Sequence, residues 1–573
     1  MIRLLAQNDS PLAASGLWLP SGAELSWLAP ELALVATIVA VLVWPLIARR
    51  NSYHSAFITL AGTVLTTILV SRLSVAGTDA GLTPLDADGS PMPMFVIDPL
   101  SLFFKLFLML FLVLVTALWM LGSAEREKDA PEFFVLLLSS ALGMVLMVST
   151  LNLLMIVIAI ELASLPSYAI AGFDKRSRVG AEASLKYVIF GAVTAAIMVY
   201  GVSLLYGFYG TMNVTEIATG MFSSEVGTGL VPAVGLLAFF VGVAFKISAV
   251  PFHFWCPDVF EGAKIEVTTW LSVSSKAAGL CLLLRVVFTL ANTAGVDQMT
   301  VEQTLGWLAW GIGIVAALTC TYANLVAYQQ NNVKRLLAYS SIAHAGYMLM
   351  AGAVLMVLKP DPLDPTRPSA HAAISAVVAY ALVYLFMNIG AFGTVAMVYQ
   401  ATGKETLDAY RGLWRRAPWL AVPMAICLFS LVGMPPLGGF MVKFWLLGAL
   451  FEAGSNLVST KPLLYSLVIV AVLNTLLSLF YYLRIVREMF LNDDDQPAMS
   501  VPVGGLAIVN VCAAVLVVTG TFGAPLLQRR SNNYATDLFL ESTDAVSAEI
   551  ELDTAPPEPT VPVAAVSAAD PTE

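Results

Sequence analysis

The side chains in this sequence best suited to chemistry are charged residues placed where charge is disfavoured. Lys105, Lys186, Lys246, Lys276, Arg285 and Lys443 lie within long apolar stretches, as does the carboxylate Glu161 in IAIELASLPSY. A charge at the centre of a bilayer costs about 2.5 to 3.5 kcal/mol on insertion scales, so such residues persist where they are paired or where they work. A lysine in a low-dielectric setting holds its proton less tightly, which is what a reversible proton carrier requires. Lys246, Lys276 and Lys443 fit that description best, and Glu161 is the natural acidic partner. The other three basic residues have plain structural readings. Lys105 lies one or two turns into its helix and can snorkel to the outer headgroups. Lys186 follows Glu182 by four residues, the spacing of an ordinary helical salt bridge. Arg285 stays charged at any accessible pH, so it sets a field or holds a helix and carries no proton itself.

The backbone around two of the lysines is broken. In KISAVPFHFW, which begins at Lys246, Pro251 has no N–H for the carbonyl of Ile247 and its ring clashes there. In GMPPLGGFMVK, which ends at Lys443, Pro435, Pro436, Gly438 and Gly439 interrupt the helix in the same way. Discontinuous helices in corresponding positions of two halves mark repeat-built transporters with a polar midplane; a simple proline kink is the competing reading. Between the two breaks lies KRLLAYSSIAHAGYM, whose Ser340, His344 and Tyr347 share one helix face by their i, i+4, i+7 spacing. Histidine titrates near neutrality and hydroxyls order water, so this face could relay protons between Lys276 and Lys443, or His344 could serve as a structural hydrogen bond to a neighbouring helix. Lys334 and Arg335 open that helix as anchors.

The elements that must position these residues are membrane spans. A chain with 58% hydrophobic and 12% charged residues and a mean hydropathy of +0.81 is no soluble domain. Runs long enough to span occur near 30–48, 56–71, 100–121, 132–149, 151–172, 183–207, 229–250, 267–290, 306–326, 336–357, 372–399, 418–450, 463–484 and 501–524, which predicts an all-α membrane protein of about fourteen transmembrane helices. The first begins well: Pro30 suits an opening helical turn and Glu31 faces the positive end of the helix dipole. It is read as retained, because no signal-type cleavage site precedes it. With the N-terminus outside, sixteen of the 29 basic residues fall in inner loops and seven in outer ones, so an even span count puts both termini on the outer side. From 531 to 573 the chain is rich in Pro, Ala and acidic residues with no apolar period, which predicts a disordered tail. Cys281, Cys320, Cys427 and Cys512 sit in apolar runs and Cys256 in a connecting segment, without a CxxC pair. His54, His253, His344 and His371 are too scattered to complete a metal set, so no metal or redox centre is expected. GIGIVA at 311–316 lies inside a span with no preceding strand and reads as packing glycines.

Taken together, EASLKY, FKISAVPFHFWCPDVFEGA, VSSKAAG, NVKRLLAYSSIAHAGY and GMPPLGGFMVKF resemble the antiporter-like membrane subunits shared by respiratory complex I, multisubunit cation/proton antiporters and membrane-bound hydrogenases, over roughly residues 95 to 490. Within that group PDVFEGA, the lysine at 443 and the lack of a long lateral helix after the last span look like the N type, subunit 2 in organelles. The resemblance implies two inverted five-helix repeats, each with a broken helix. The organisation it suggests is three N-terminal helices in 1–131, repeats in 132–305 and 306–495, and a last helix in 496–530. It implies proton translocation driven by quinone reduction elsewhere in the complex, in the cell inner membrane. NADH, FMN, iron-sulfur clusters and quinone would be held by partner subunits and no cofactor by this chain. By matching motif, Glu161 would pair with Lys246, Lys276 would connect the halves, and Lys334 and His344 would relay toward the terminal Lys443. Glu182 and Lys186 would lie near the inner access point. A cation/proton antiporter or hydrogenase subunit is the alternative. One departure stands out: EGAKIEV puts Lys264 and Glu266 where the family commonly has prolines.

Overall fold

Apolar side chains cover the helices, and hydrogen bonds within each helix satisfy the backbone, which is the arrangement lipid demands. The computed structural model describes residues 22–48, 51–76, 94–122, 129–222, 229–291, 298–357, 369–456, 460–492 and 498–535. A short α1 (Gly22–Trp27) leads into α2 (Ala29–Ile47), α3 (Ser52–Ala76) and α4 (Pro99–Gly122). Then come α5 (Ala130–Met147), α6 (Leu153–Ala171), α7 (Arg178–Tyr209), α8 (Val214–Phe222), α9 (Leu230–Ile247), α10 (Trp255–Gly262) and α11 (Ile265–Ala291). A second run holds α12 (Gln298–Ala327), α13 (Val333–Val357), α14 (Ser369–Thr402), α15 (Leu413–Arg416), α16 (Pro418–Val432), α17 (Gly438–Asn456) and α18 (Lys461–Phe490), and α19 (Val503–Thr521) follows.

Among the described residues thirteen helices are long and apolar enough to cross a membrane, and α16 with α17 accounts for the fourteenth expected run. Four helices reach 30 residues or more and exceed the expected lengths: α7 has 32 residues, α12 has 30, α14 has 34 and α18 has 30. At 1.5 Å per residue these are about 45 to 51 Å long, more than the roughly 30 Å hydrocarbon layer, so they tilt or extend past it. Their polar ends, such as Arg178 or Arg484 and Arg487, continue the helix beyond the apolar stretch that a hydropathy reading detects.

Burial separates an outer wall from a centre. In α11 and α13 nearly every side chain is buried, and α14 is buried along most of its length; α2, α3, α7, α12, α18 and α19 turn broad apolar faces outward. The helices carrying Lys276 and His344 are therefore the innermost of the bundle. GIGIVA lies in α12, where a Cβ on Gly313 would come 2.9 Å from Leu463 of α18, as expected of a packing glycine.

Both expected breaks are present. α9 stops at Ile247, with Ser248 in the left-handed region at φ 65°, and α16 stops at Val432, with Gly433 at φ 87°. Neighbours satisfy the freed backbone: Val250 N donates to Thr319 Oγ1 of α12 at 2.9 Å, Trp255 Nε1 donates to Phe245 O at 3.0 Å, and Gly439 N donates to Ser430 Oγ at 3.0 Å. A matched pair of loop contacts flanks them. Asn152, which caps α6, bridges Asn213, and Asn332, which opens α13, bridges Thr406.

Residues 531–535, which composition assigned to a disordered tail, are ordered. Residues 524–535 are helical; Ser531 is buried and accepts from Ser375 Oγ at 3.0 Å, and the Tyr534 ring packs 5.2 Å from that of Phe103. The reason is local: serine, asparagine and tyrosine here find partners on α14 and α4, which a composition reading cannot see. The acidic stretch from residue 536 lies outside the described residues.

Candidate proton-transfer site

Lys246 occupies the last turn of α9, immediately before the first break, and is fully buried. Its ammonium donates to Ser164 Oγ at 3.1 Å. Ser164 stands one turn after Glu161 on α6, so the hydroxyl lies on the face that carries the carboxylate. The expected contact ion pair between Glu161 and Lys246 is absent: their charges act on one another across a longer separation, and Ser164 takes the contact position. Glu161 itself is only half-buried.

Lys276 lies at the heart of α11 with no exposed surface. It donates to Cys256 Sγ at 3.7 Å and lies 5.2 Å from the Phe260 ring centre and 5.8 Å from that of Trp255. Cys256 belongs to α10, is buried, and approaches Ser341 Oγ of α13 at 3.9 Å. A thiol thus stands between the connecting lysine and the helix of His344. Gly279, one turn after Lys276, packs against Lys246 and Ile247, which brings α9 and α11 together beside both lysines.

On α13, Ser340, His344 and Tyr347 are all buried, as their common face requires. His344 Nδ1 shares a 2.7 Å hydrogen bond with Tyr380 Oη of α14, and Ser340 bonds Tyr482 Oη of α18. Lys443, on the far side of the second break, donates to Leu431 O at 3.0 Å and Val432 O at 2.9 Å. Those carbonyls end α16, where a helix presents negative partial charge. The Tyr347 ring centre lies 4.7 Å from the same ammonium.

The remaining expected residues are held by carboxylates, some at a rim and some buried. Lys186 contacts Glu182 at 2.8 Å and, in addition, Asp258 of α10 at 2.8 Å. Asp258 also meets Arg335 at 2.9 Å, and Arg335 meets Glu261 at 2.5 Å, which ties α7, α10 and α13 together. Lys186, Asp258 and Arg335, with His253 and Tyr339, line a cavity of about 300 Å³. Lys334 is buried, pairs with Glu405 at 2.7 Å and donates to Ala263 O at 3.0 Å. Arg285 makes a two-pronged bond to Asp98 at 2.6 and 2.7 Å. Lys105 does not snorkel: it is buried against Glu31 at 2.7 Å, which also gives Glu31 a partner other than the helix dipole. Lys264 lies over the Phe173 ring at 5.0 Å, and Glu266 is buried at the start of α11.

Sequence reasoning missed Ser164, Cys256, Asp258 and Glu405. Ser164 had a usable signal, being one turn from Glu161 on the same face. Asp258 lies in the short α10 and Glu405 in the connection after α14; their partners come from distant helices, and spacing gives no sign of that.

Comparison with known proteins identifies the family. The transmembrane family described as NADH:quinone oxidoreductase/Mrp antiporter matches residues 150–468. An NADH-quinone oxidoreductase subunit N from Anaeromyxobacter sp. (strain Fw109-5) is 36% identical over 522 residues, covering 88% of this chain and 95% of that one. A second, subunit N 2 from Sorangium cellulosum (strain So ce56), is 38% identical over 523 residues, 88% of this chain and 96% of the relative. The chain belongs to the NADH-quinone oxidoreductase subunit N family. A chain of respiratory complex I from Thermus thermophilus superposes with a TM-score of 0.67 at 28% identity, over 87% of this chain and 98% of that one. The same fold recurs in the Mrp complex from Dietzia sp. DQ12-45-1b, TM-score 0.71 at 21% identity, over 91% and 98% of the two chains.

Proposed function

We propose that this subunit N family member translocates protons across the bilayer as a membrane subunit of NADH:quinone oxidoreductase. NADH, FMN, iron-sulfur and quinone chemistry belongs to its partner subunits. The observation that carries the reading is the seating of Lys246, Lys276 and Lys443. All three are buried, two flank helix breaks, and each ammonium rests on a hydroxyl, thiol, carbonyl or ring with, among the described residues, no carboxylate in contact. Such a lysine can release a proton without stranding a bonded carboxylate, and a change in the charge of Glu161 would bias Lys246 in turn. Cys256, Ser341 and the α13 face carry the link from Lys276 toward Lys443. Glu182, Lys186, Asp258 and Lys334 occupy the inner rim, where they hold the halves together around the access point.

The equivalent bridges of Asn152 to Asn213 and Asn332 to Thr406, each near the cap of a helix that precedes a broken one, support two inverted repeats over 132–305 and 306–495. The family supports an inner-membrane location, and the lysine and arginine distribution supports both termini outside.

The test is proton uptake by vesicles containing the assembled complex, measured against quinone reduction. Lys246→Ala and Lys246→Arg should both lose pumping, because arginine cannot release a proton. Glu161→Gln should reduce it as well. Full pumping by Lys246→Ala and Glu161→Gln together with intact assembly would defeat the reading. Sodium exchange that needs no NADH would point to an antiporter subunit instead.

A further inference from the structure

How Lys443 is held adds a second layer to the proton-transfer reading, on which this inference rests. Among the described residues no carboxylate forms an ion pair with Lys443, so its positive charge depends on the Leu431 and Val432 carbonyls and on the face of Tyr347. A cation over an aromatic face is attracted most strongly when both are desolvated, as here. His344 on the same helix and Cys320 on α12 are the other titratable groups that act on this lysine.

A ring serves as a seat only while it stays in place. The Tyr347 hydroxyl accepts from Asn324 Nδ2 of α12 at 3.3 Å. Asn324 is itself fixed on two sides: Nδ2 also donates to Asn474 Oδ1 of α18 at 3.0 Å, and its Oδ1 accepts from Tyr481 Oη at 3.0 Å. Asn474 donates onward to Thr321 Oγ1 at 2.9 Å. The approach of α12 to α13 depends on Gly346, where a Cβ would come 2.7 Å from Cys320 N. Amides buried in apolar helices must be partnered. Here three helices supply a partnered amide network that ends on one phenol.

We infer that Asn324 and Asn474 are positioning residues for proton transfer, which lock Tyr347 as the aromatic seat of the Lys443 ammonium. Neither touches the transferred proton; they act through the ring.

The experiment measures protons moved per quinol formed in vesicles carrying the whole complex, with assembly followed on native gels. Tyr347→Leu, which removes the face, should lower that ratio at least about twofold. Tyr347→Phe keeps the face but loses the anchor, and should retain more of the ratio than Tyr347→Leu while falling below the parent. Asn324→Ala should match Tyr347→Phe, and the double variant should be no worse than either, because both cut one link. If Asn324→Ala does not assemble, Tyr347→Phe, which deletes a single hydroxyl, tests the same link, and a parent-like ratio there would overturn the anchor. Parent-like pumping by Tyr347→Leu, in a complex where Lys443→Ala fails to pump, would remove the seat and leave the proton-transfer reading standing. Full pumping by Lys443→Ala would remove that reading itself.

Discussion

Loss of Asp98 should unfasten the N-terminal helices from the rest of the subunit. The Asp98 carboxylate receives both Arg285 guanidinium arms at 2.6 and 2.7 Å, with the two side chains 2% and 4% exposed. It also accepts from Ser101 N at 2.7 Å, so one residue caps α4 and clamps it to α11. Breaking a buried pair by removing one partner costs about 3 to 5 kcal/mol, since the other charge is left uncompensated. Removing a helix cap adds about 1 kcal/mol. Asp98→Ala should therefore cost about 4 to 6 kcal/mol, comparable with the whole stability of a modest domain, roughly 5 to 15 kcal/mol. Asp98→Asn keeps the cap and should cost about 3 to 5 kcal/mol through the stranded guanidinium alone. Pairing Asp98→Asn with Arg285→Met removes both charges and should restore most of the loss, because a buried ion pair and an apolar replacement often differ little in stability. The assay is the amount of assembled complex on native gels across a temperature series, with proton yield per quinol on whatever assembles. The expected pattern is poor accumulation of Asp98→Ala and Asp98→Asn and recovery in the double variant with parental yield. Normal assembly of the single variants with a lowered proton yield would refute the clamp and move Arg285 into the proton path.

Three further outcomes are expected. Cys256→Ser should preserve proton yield because a hydroxyl can take the thiol's place between Lys276 and Ser341, whereas Cys256→Ala should lower it; equal yields for the two would dismiss the thiol as a link. Truncation after Ala535 should leave assembly intact, while truncation after Arg530 should impair it by deleting the Ser531, Asn532 and Tyr534 contacts; the native gel decides, and identical behaviour of the two truncations would count against those contacts. A reporter fused after Arg416 should be cytoplasmic and one at the C-terminus outside, and finding both on one side would overturn the proposed topology.

The helices were legible because hydropathy and length are properties of single segments. Proline and glycine located both breaks for the same reason, since what interrupts a helix is encoded within a few residues of the interruption. Positions of the buried lysines followed from the cost of charge in lipid. What stayed hidden was pairing between segments far apart in the chain. Lys105 and Glu31 are 74 positions apart, and Arg285 and Asp98 are 187 apart; no spacing rule connects them. Glu161 and Lys246 illustrate the opposite error. Charge complementarity suggested a contact, but the helix turn brought Ser164 to the ammonium first, one turn along the same face.

The cations within the spans divide by what they touch, and that division bears on which of them can move protons. Lys105, Lys186, Lys334 and Arg285 each contact a carboxylate at 2.6 to 2.8 Å. Deprotonating any of these lysines would leave a carboxylate without its counter-charge, and where the pair is buried that stranded charge is what makes breaking it costly. Lys246, Lys276 and Lys443 rest on neutral groups: a serine hydroxyl, a thiol with two aromatic faces, and two helix-end carbonyls with a third face. Neutral seats stabilise the ammonium through dipoles and ring electrons, which remain satisfiable by water or by the amine after the proton leaves. In the proposed proton-transfer reading the first group stays charged and holds helices in register, and the second changes charge. By this criterion we propose that Lys334, which the family resemblance put among the relay residues, and Lys186, which it put near the inner access point, act on the proton path through structure and field.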